Sequence, residues 1–122
     1  MNREPTKEEI KRFWEYWGFV FEEHNSRFEH WWTYFAPEDM LLEWHEKHQK
    51  TGFPPLDLNS LFRYAVPKLE GFRINISRTK FVVAPQWEIA IYNAYKQSFE
   101  KGEDPALALF WALDKVREAN NE

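Results

Sequence analysis

The stretch RFEHWWTYFAP, Arg27 to Pro37, sets six aromatic or imidazole rings, Phe28, His30, Trp31, Trp32, Tyr34 and Phe35, within eleven residues. Whether these rings form a ligand platform or belong to a core decides the fold. They follow neither the helical nor the two-residue period cleanly. Phe, Trp, Tyr and Thr favour pleated, half-buried surfaces, however, and the segment reads as extended. In an extended chain the neighbours Trp31 and Trp32 point to opposite faces. One indole can then enter the core while the other lies outside, so the reading is a core strand with one leftover face.

Composition points the same way. Of 122 residues, 23 are Phe, Trp or Tyr and only four are glycine, so a small interior is filled with large pieces. A chain of this length fits one domain and buries roughly two-thirds of the surface its unfolded form would expose. The absence of cysteine excludes disulfides, thiolate metal sites and cysteine nucleophiles. The opening MNREPTKEEIKRF lacks an apolar targeting core, and no run of about 18 apolar residues occurs, so a soluble, cytoplasmic protein without membrane contact is expected. Acidic residues outnumber basic ones 20 to 16, and the bases are scattered, which argues against a nucleic-acid partner.

Working outward, Thr6 with Glu9 reads as a capping box that opens a helix whose inward stripe is Ile10, Phe13, Trp14 and Trp17, closed by Gly18. Phe19 to Glu23 reads as a short strand and His24 to Ser26 as a turn. A second helix is expected over 37–50, with Pro37, Glu38 and Asp39 in its first turn and His45, Lys47, His48 and Lys50 in its last. FPPLD, 53–57, is a rigid connector, because two prolines forbid a continuous helix. Asp57 then caps a helix bearing Leu58, Leu61, Phe62, Ala65, Val66 and Leu69, which Pro67 kinks or ends.

Phe72, Ile74 and Ile76 alternate with Arg73, Asn75 and Ser77, the signature of a strand with one wet face. RTK, 78–80, turns the chain, Phe81 to Val83 offers a strand, and Trp87 to Tyr92 alternates as another. Residues 86–101 also fit a helical stripe; the strand is preferred up to Tyr92, and 93–101 stays open. Asp104 and Pro105 start a last helix, 105–119, with Ala106, Leu109, Phe110, Leu113 and Val116 inward. Leu107 and Trp111 project from a different side, so this helix is either covered twice or presents a contact patch.

The segments PPLDLNSLFRYAVPKL (54–69) and GEDPALALFWALDKV (102–116) resemble those of small phage- or prophage-associated proteins grouped as phage ABA-sandwich domains. The resemblance spans roughly residues 53–119. It implies an α+β layered domain from a mobile element and brings no catalytic residue with it. The aromatic region from Phe19 to Gly52 departs from the pattern.

Candidate chemistry is sparse. His24, His30, His45 and His48 could ligate a metal, but HEKH spaces its histidines three apart, not four as in HExxH. Surface histidines complementing a helix C-terminus are the better reading, and no metal or cofactor is expected. Carboxylates such as Glu22, Glu23, Glu29, Glu38, Asp39 and Glu43 are plentiful without being specific, no serine sits in GxSxG, and no glycine-rich phosphate loop exists.

The sequence thus predicts a single α+β domain with an aromatic-rich N-terminal region (residues 1–52), the connector (53–57) and a family-like region (58–119). A small antiparallel sheet of about three to four strands is expected beneath three to four helices. The expected role is an interaction or accessory module of phage origin, acting without catalysis through self-association or a protein partner. Its contact surface comprises Trp31, Trp32 and Tyr34 together with Leu107 and Trp111. Two alternatives stand beside it: a small-molecule or carbohydrate binder using exposed tryptophans, and a hydrolase or nuclease using histidines and carboxylates.

Overall fold

A computed structural model of the chain describes residues 3–38, 50–78 and 86–120. It is α+β, and its contacts gather into two compact units: Pro5–Pro55, and Leu56–Glu122 with Met1–Glu4. The break falls inside FPPLD. In place of the one sheet expected, there are two antiparallel sheets of three strands each. Each strand pairs only with its neighbours in sequence, and the two prolines separate one set of pairings from the other.

In the Pro5–Pro55 unit, α1 (Lys7–Tyr16) starts where the capping box placed it: Thr6 Oγ1 accepts from the Glu9 amide at 3.2 Å, and Glu9 Oε1 accepts from the Thr6 amide at 2.9 Å. Its end is a Schellman motif. Gly18 takes a φ of 104°, its amide bonds to the Glu15 carbonyl at 3.1 Å, and the Phe19 amide reaches the Trp14 carbonyl at 3.0 Å. The Phe19 ring lands 4.8 Å from that of Trp14, the apolar contact that accompanies such a cap. From there the chain enters β1 (Val20–Asn25), which pairs with β2 (His30–Phe35); β2 also pairs with the two-residue β3 (Lys50–Thr51). Phe13, Trp14, Trp17, Phe19, Tyr34 and Phe35 are buried, and Ile10 is half-buried. The expected helix over 37–50 lies almost wholly outside the described residues.

The second unit opens on α2 (Leu58–Ser60), capped by Asp57 Oδ1 on the Ser60 amide at 2.7 Å. The expected regular helix does not continue. A π turn, Leu61–Ala65, and a 3₁₀ turn, Val66–Lys68, follow. Pro67 is the cause: it has no amide to donate, and its ring would strike the carbonyl of Arg63 in a regular α-helix. Widening the preceding turn removes that clash, with the Val66 amide bonding back to the Leu61 carbonyl. Leu61 and Ala65 are buried, whereas Leu58 and Phe62 are exposed.

The second sheet runs β4 (Arg73–Arg78), β5 (Trp87–Tyr92), β6 (Gln97–Gly102), with β5 central. The helical alternative for 86–101 is thereby excluded; the expected RTK turn beyond Arg78 and the strand at 81–83 lie outside the described residues. Ile89 and Ile91 are fully buried on the face covered by α3 (Pro105–Asn120). Asp104 Oδ1 accepts from the amides of Ala106 at 2.9 Å and Leu107 at 3.4 Å, as its capping role requires. From Ala108 onward α3 buries Leu109, Phe110, Ala112, Leu113, Asp114, Val116 and Arg117, so it is covered on more than one side.

Two hairpins whose turns are among the described residues close alike. β1 and β2 are joined by Ser26–Glu29, and β5 and β6 by Asn93–Lys96. In each, the first amide bonds to the fourth carbonyl, Ser26 to Glu29 at 2.7 Å and Asn93 to Lys96 at 2.9 Å. Side-chain oxygens of Ser26 and Asn93 then accept from the third and fourth amides. Among the described residues no non-glycine has a positive φ, so these side-chain bonds take the place that glycine fills in common two-residue hairpins. The turn expected at 24–26 therefore moves to 26–29, because His24 and Asn25 still pair with β2.

Candidate interaction surface

The hairpin of β1 and β2 carries the opening ring cluster, and its register sorts the side chains. Glu22 faces Thr33, Glu23 faces Trp32, His24 faces Trp31, and Asn25 faces His30. Alternation puts Glu22, His24, Trp31 and Thr33 on one face and Glu23, His30, Trp32 and Tyr34 on the other. Trp31 and Trp32 point in opposite directions, as an extended segment demands.

On the first face the imidazole of His24 lies parallel to the Trp31 indole, with centroids 5.2 Å apart and planes 11° from parallel. His24 is itself held: its Nε2 hydrogen-bonds Thr33 Oγ1 at 2.7 Å, an arrangement either tautomer can make because a hydroxyl both donates and accepts. Glu22 Oε2 stands 3.9 Å from the same nitrogen. Trp31 remains 37% exposed, so the hairpin presents an indole in a fixed orientation. Phe28, at the third position of the turn, is 88% exposed with Arg27 5.7 Å from its centroid.

Across the sheet, His30 Nε2 donates to Glu23 Oε1 at 2.6 Å and meets the Trp32 ring edge to face at 5.9 Å. Trp32 is half-buried, with Lys11 Nζ 5.2 Å from its centroid and Phe53 at 6.3 Å. Tyr34 is 8% exposed, with Phe19 and Phe21 each 6.0 Å away. Of the three residues expected as a contact group, Trp31 faces water, Trp32 is partly covered and Tyr34 belongs to the core.

The second expected patch lies on α3. Leu107 and Trp111 are half-buried. Trp111 Nε1 donates to the Arg3 carbonyl at 2.9 Å, and the Arg3 guanidinium sits 4.6 Å above the indole. This side of α3 therefore already holds residue 3.

The two imidazole and carboxylate couples, His24 with Glu22 and His30 with Glu23, occupy opposite faces of the hairpin and cannot converge on one atom. No group of three His, Cys, Asp or Glu able to hold a metal occurs among the described residues, which exclude His45 and His48. Sequence reasoning placed Phe28 in the ring cluster but not in the contact group, and it missed the counterpart Tyr95, which is 93% exposed at the same turn position of the β5 and β6 hairpin. The usable signal was the shared pattern of an oxygen-bearing cap residue, any residue, an aromatic and a charge. No helix among the described residues is long and apolar enough to cross a membrane. Comparison with protein-family models, curated proteins and solved structures finds no match.

Proposed function

We propose that this protein is a cytoplasmic interaction module of phage origin that docks a protein partner, without catalysis, through the Trp31 face of its first hairpin. One observation carries the reading: the stack of His24 on Trp31, fixed by the bond from His24 to Thr33. An exposed aromatic ordered before contact has little rotamer freedom to lose on docking, which is the property of an interface anchor. Phe28, 88% exposed at the turn of the same hairpin, is a second ring open to contact. The phage origin rests on the resemblance of segments 54–69 and 102–116. Co-purification from the native host tests the reading. The wild-type chain recovers a stoichiometric protein partner that Trp31→Ala, of unchanged circular dichroism, loses; recovery of the same proteins by both chains would sink it.

A further inference from the structure

We infer that the turn end of the β5 and β6 hairpin is a binding site for a neutral saccharide. A concavity of about 430 Å³ opens there, lined by Ala90, Tyr92, Asn93, Tyr95, Lys96 and Gln97. Its volume falls in the range of small-molecule sites, roughly 300–1,000 Å³. The inference concerns a different unit from Trp31 and does not depend on the function proposed above.

The walls follow from register. Ala90 pairs with Phe99, and Tyr92 pairs with Gln97. These side chains lie on the sheet face opposite buried Ile89 and Ile91, away from α3. Ala90 is small, so it leaves room beside Tyr92 and Gln97, and Phe99, its partner on β6, stands on the same face outside the lining. Both rings are accessible, at 37% and 44%.

Tyr95 adds a third ring, 93% exposed. The turn does not require it, because Asn93 Oδ1 holds the amides of Tyr95 and Lys96 at 2.9 and 2.7 Å whatever side chain follows. A large ring that folding does not use, standing beside a concavity, is suited to the C–H face of a sugar, as rings elsewhere serve bases. The side-chain NH2 of Asn93, whose Oδ1 is committed to the turn, the Gln97 carboxamide and the two tyrosine hydroxyls suit its hydroxyl groups.

Few charges are available to an ionic ligand. Among the described residues no carboxylate lines the concavity, the Lys96 ammonium donates to the Ala119 carbonyl at 3.4 Å, and the other base beside Tyr92 on this face is Arg73, its partner on β4. A nucleotide or phosphate would need several cations on one face.

Amide NMR titration with maltohexaose, cellohexaose and chitohexaose tests this, with AMP and inorganic phosphate as counter-probes. At least one oligosaccharide is expected to shift the amides of 92–97 saturably. Tyr95→Ala, which leaves the Asn93 cap intact, should weaken that binding about tenfold, the loss expected on removing one stacking ring. The inference is overturned if no oligosaccharide shifts these amides, if AMP or phosphate shifts them instead, or if Tyr95→Ala and Tyr92→Ala both bind as the wild type does.

Discussion

Replacing Gly18 with alanine should destabilise the protein by about 1–3 kcal/mol, and the route can be worked from the cap of α1. Gly18 holds a φ of 104°. A side chain in left-handed backbone costs roughly 1–2 kcal/mol, and this φ lies well beyond the centre of the left-handed well near about +57°. The reduced freedom of alanine in the unfolded chain offsets roughly 0.4–1 kcal/mol of that. If the backbone instead relaxes, it gives up the bonds from Gly18 to Glu15 and from Phe19 to Trp14, at about 0.5–1.5 kcal/mol each. The Phe19 ring, 4% exposed, would then leave its place against Trp14. The strained route leaves a net loss of about 1 kcal/mol and the relaxed route about 1–3 kcal/mol. Urea unfolding followed by tryptophan fluorescence reads it as a midpoint lowered by about 1 M, for slopes of about 1–3 kcal/mol per M. Gly71→Ala is the control: φ there is 78° and no heavy atom lies within 4 Å of the added Cβ, so strain alone acts and the loss is smaller. A Gly18→Ala midpoint equal to or above that of the wild type would refute the cap as a stabilising element.

Further outcomes follow from the hairpin and the last helix. Asn93→Ala removes the acceptor of two turn amides and should cost about 1–2 kcal/mol while speeding hydrogen exchange at Lys96; Asn93→Ser, patterned on Ser26, should restore most of it. Unchanged exchange at Lys96 in Asn93→Ala would contradict the turn. Asp114→Ala should cost about 1–3 kcal/mol, because Arg117 Nε donates to Asp114 Oδ1 at 2.7 Å with both side chains 5% exposed, and the change leaves the buried guanidinium only Glu118, whose Oε1 stands 3.6 Å from Nη2. The double change Asp114→Leu, Arg117→Met should be neutral or stabilising by urea denaturation. A single-variant loss below about 1 kcal/mol would show that solvent reaches the pair.

What the sequence disclosed, it disclosed through local chemistry. Thr6 with Glu9, Gly18, Asp57 and Asp104 mark helix ends because capping needs only residues a few positions apart, and each cap forms as read. The alternation of Ile74 and Ile76, and of Ile89 and Ile91, gave β4 and β5 because their inward residues are apolar. β6 stayed hidden for the converse reason. Its inward positions are Ser98, Glu100 and Gly102, satisfied by polar bonds: Ser98 Oγ donates to the Ala112 carbonyl at 2.8 Å, and Glu100 pairs with Lys115. No hydrophobic period can reveal such a strand. The π turn before Pro67 was half legible, since the proline announced a break but not that the backbone would widen ahead of it.

The candidate surface was legible only as a set of rings. That Trp31 and Trp32 would separate followed from pleating, but which of them would face water depends on Lys11 and Phe53, neither adjacent in sequence. The stack of His24 on Trp31 required the pairing register, which the turn at Ser26 sets. Two separate sheets could not be read from element order, because strands that pair only with their neighbours in sequence give the same order in one sheet as in two.

Hydroxyl-radical footprinting, quantified residue by residue by mass spectrometry, tests most directly that the rings build the interior and leave a few outside to dock. The free protein should label strongly at Phe28 and Trp31 and weakly at Phe13, Trp14 and Phe110, and the captured partner should protect Phe28 and Trp31. Labelling of Trp14 as fast as Trp31, or no protection of Trp31 in the complex, would contradict the account.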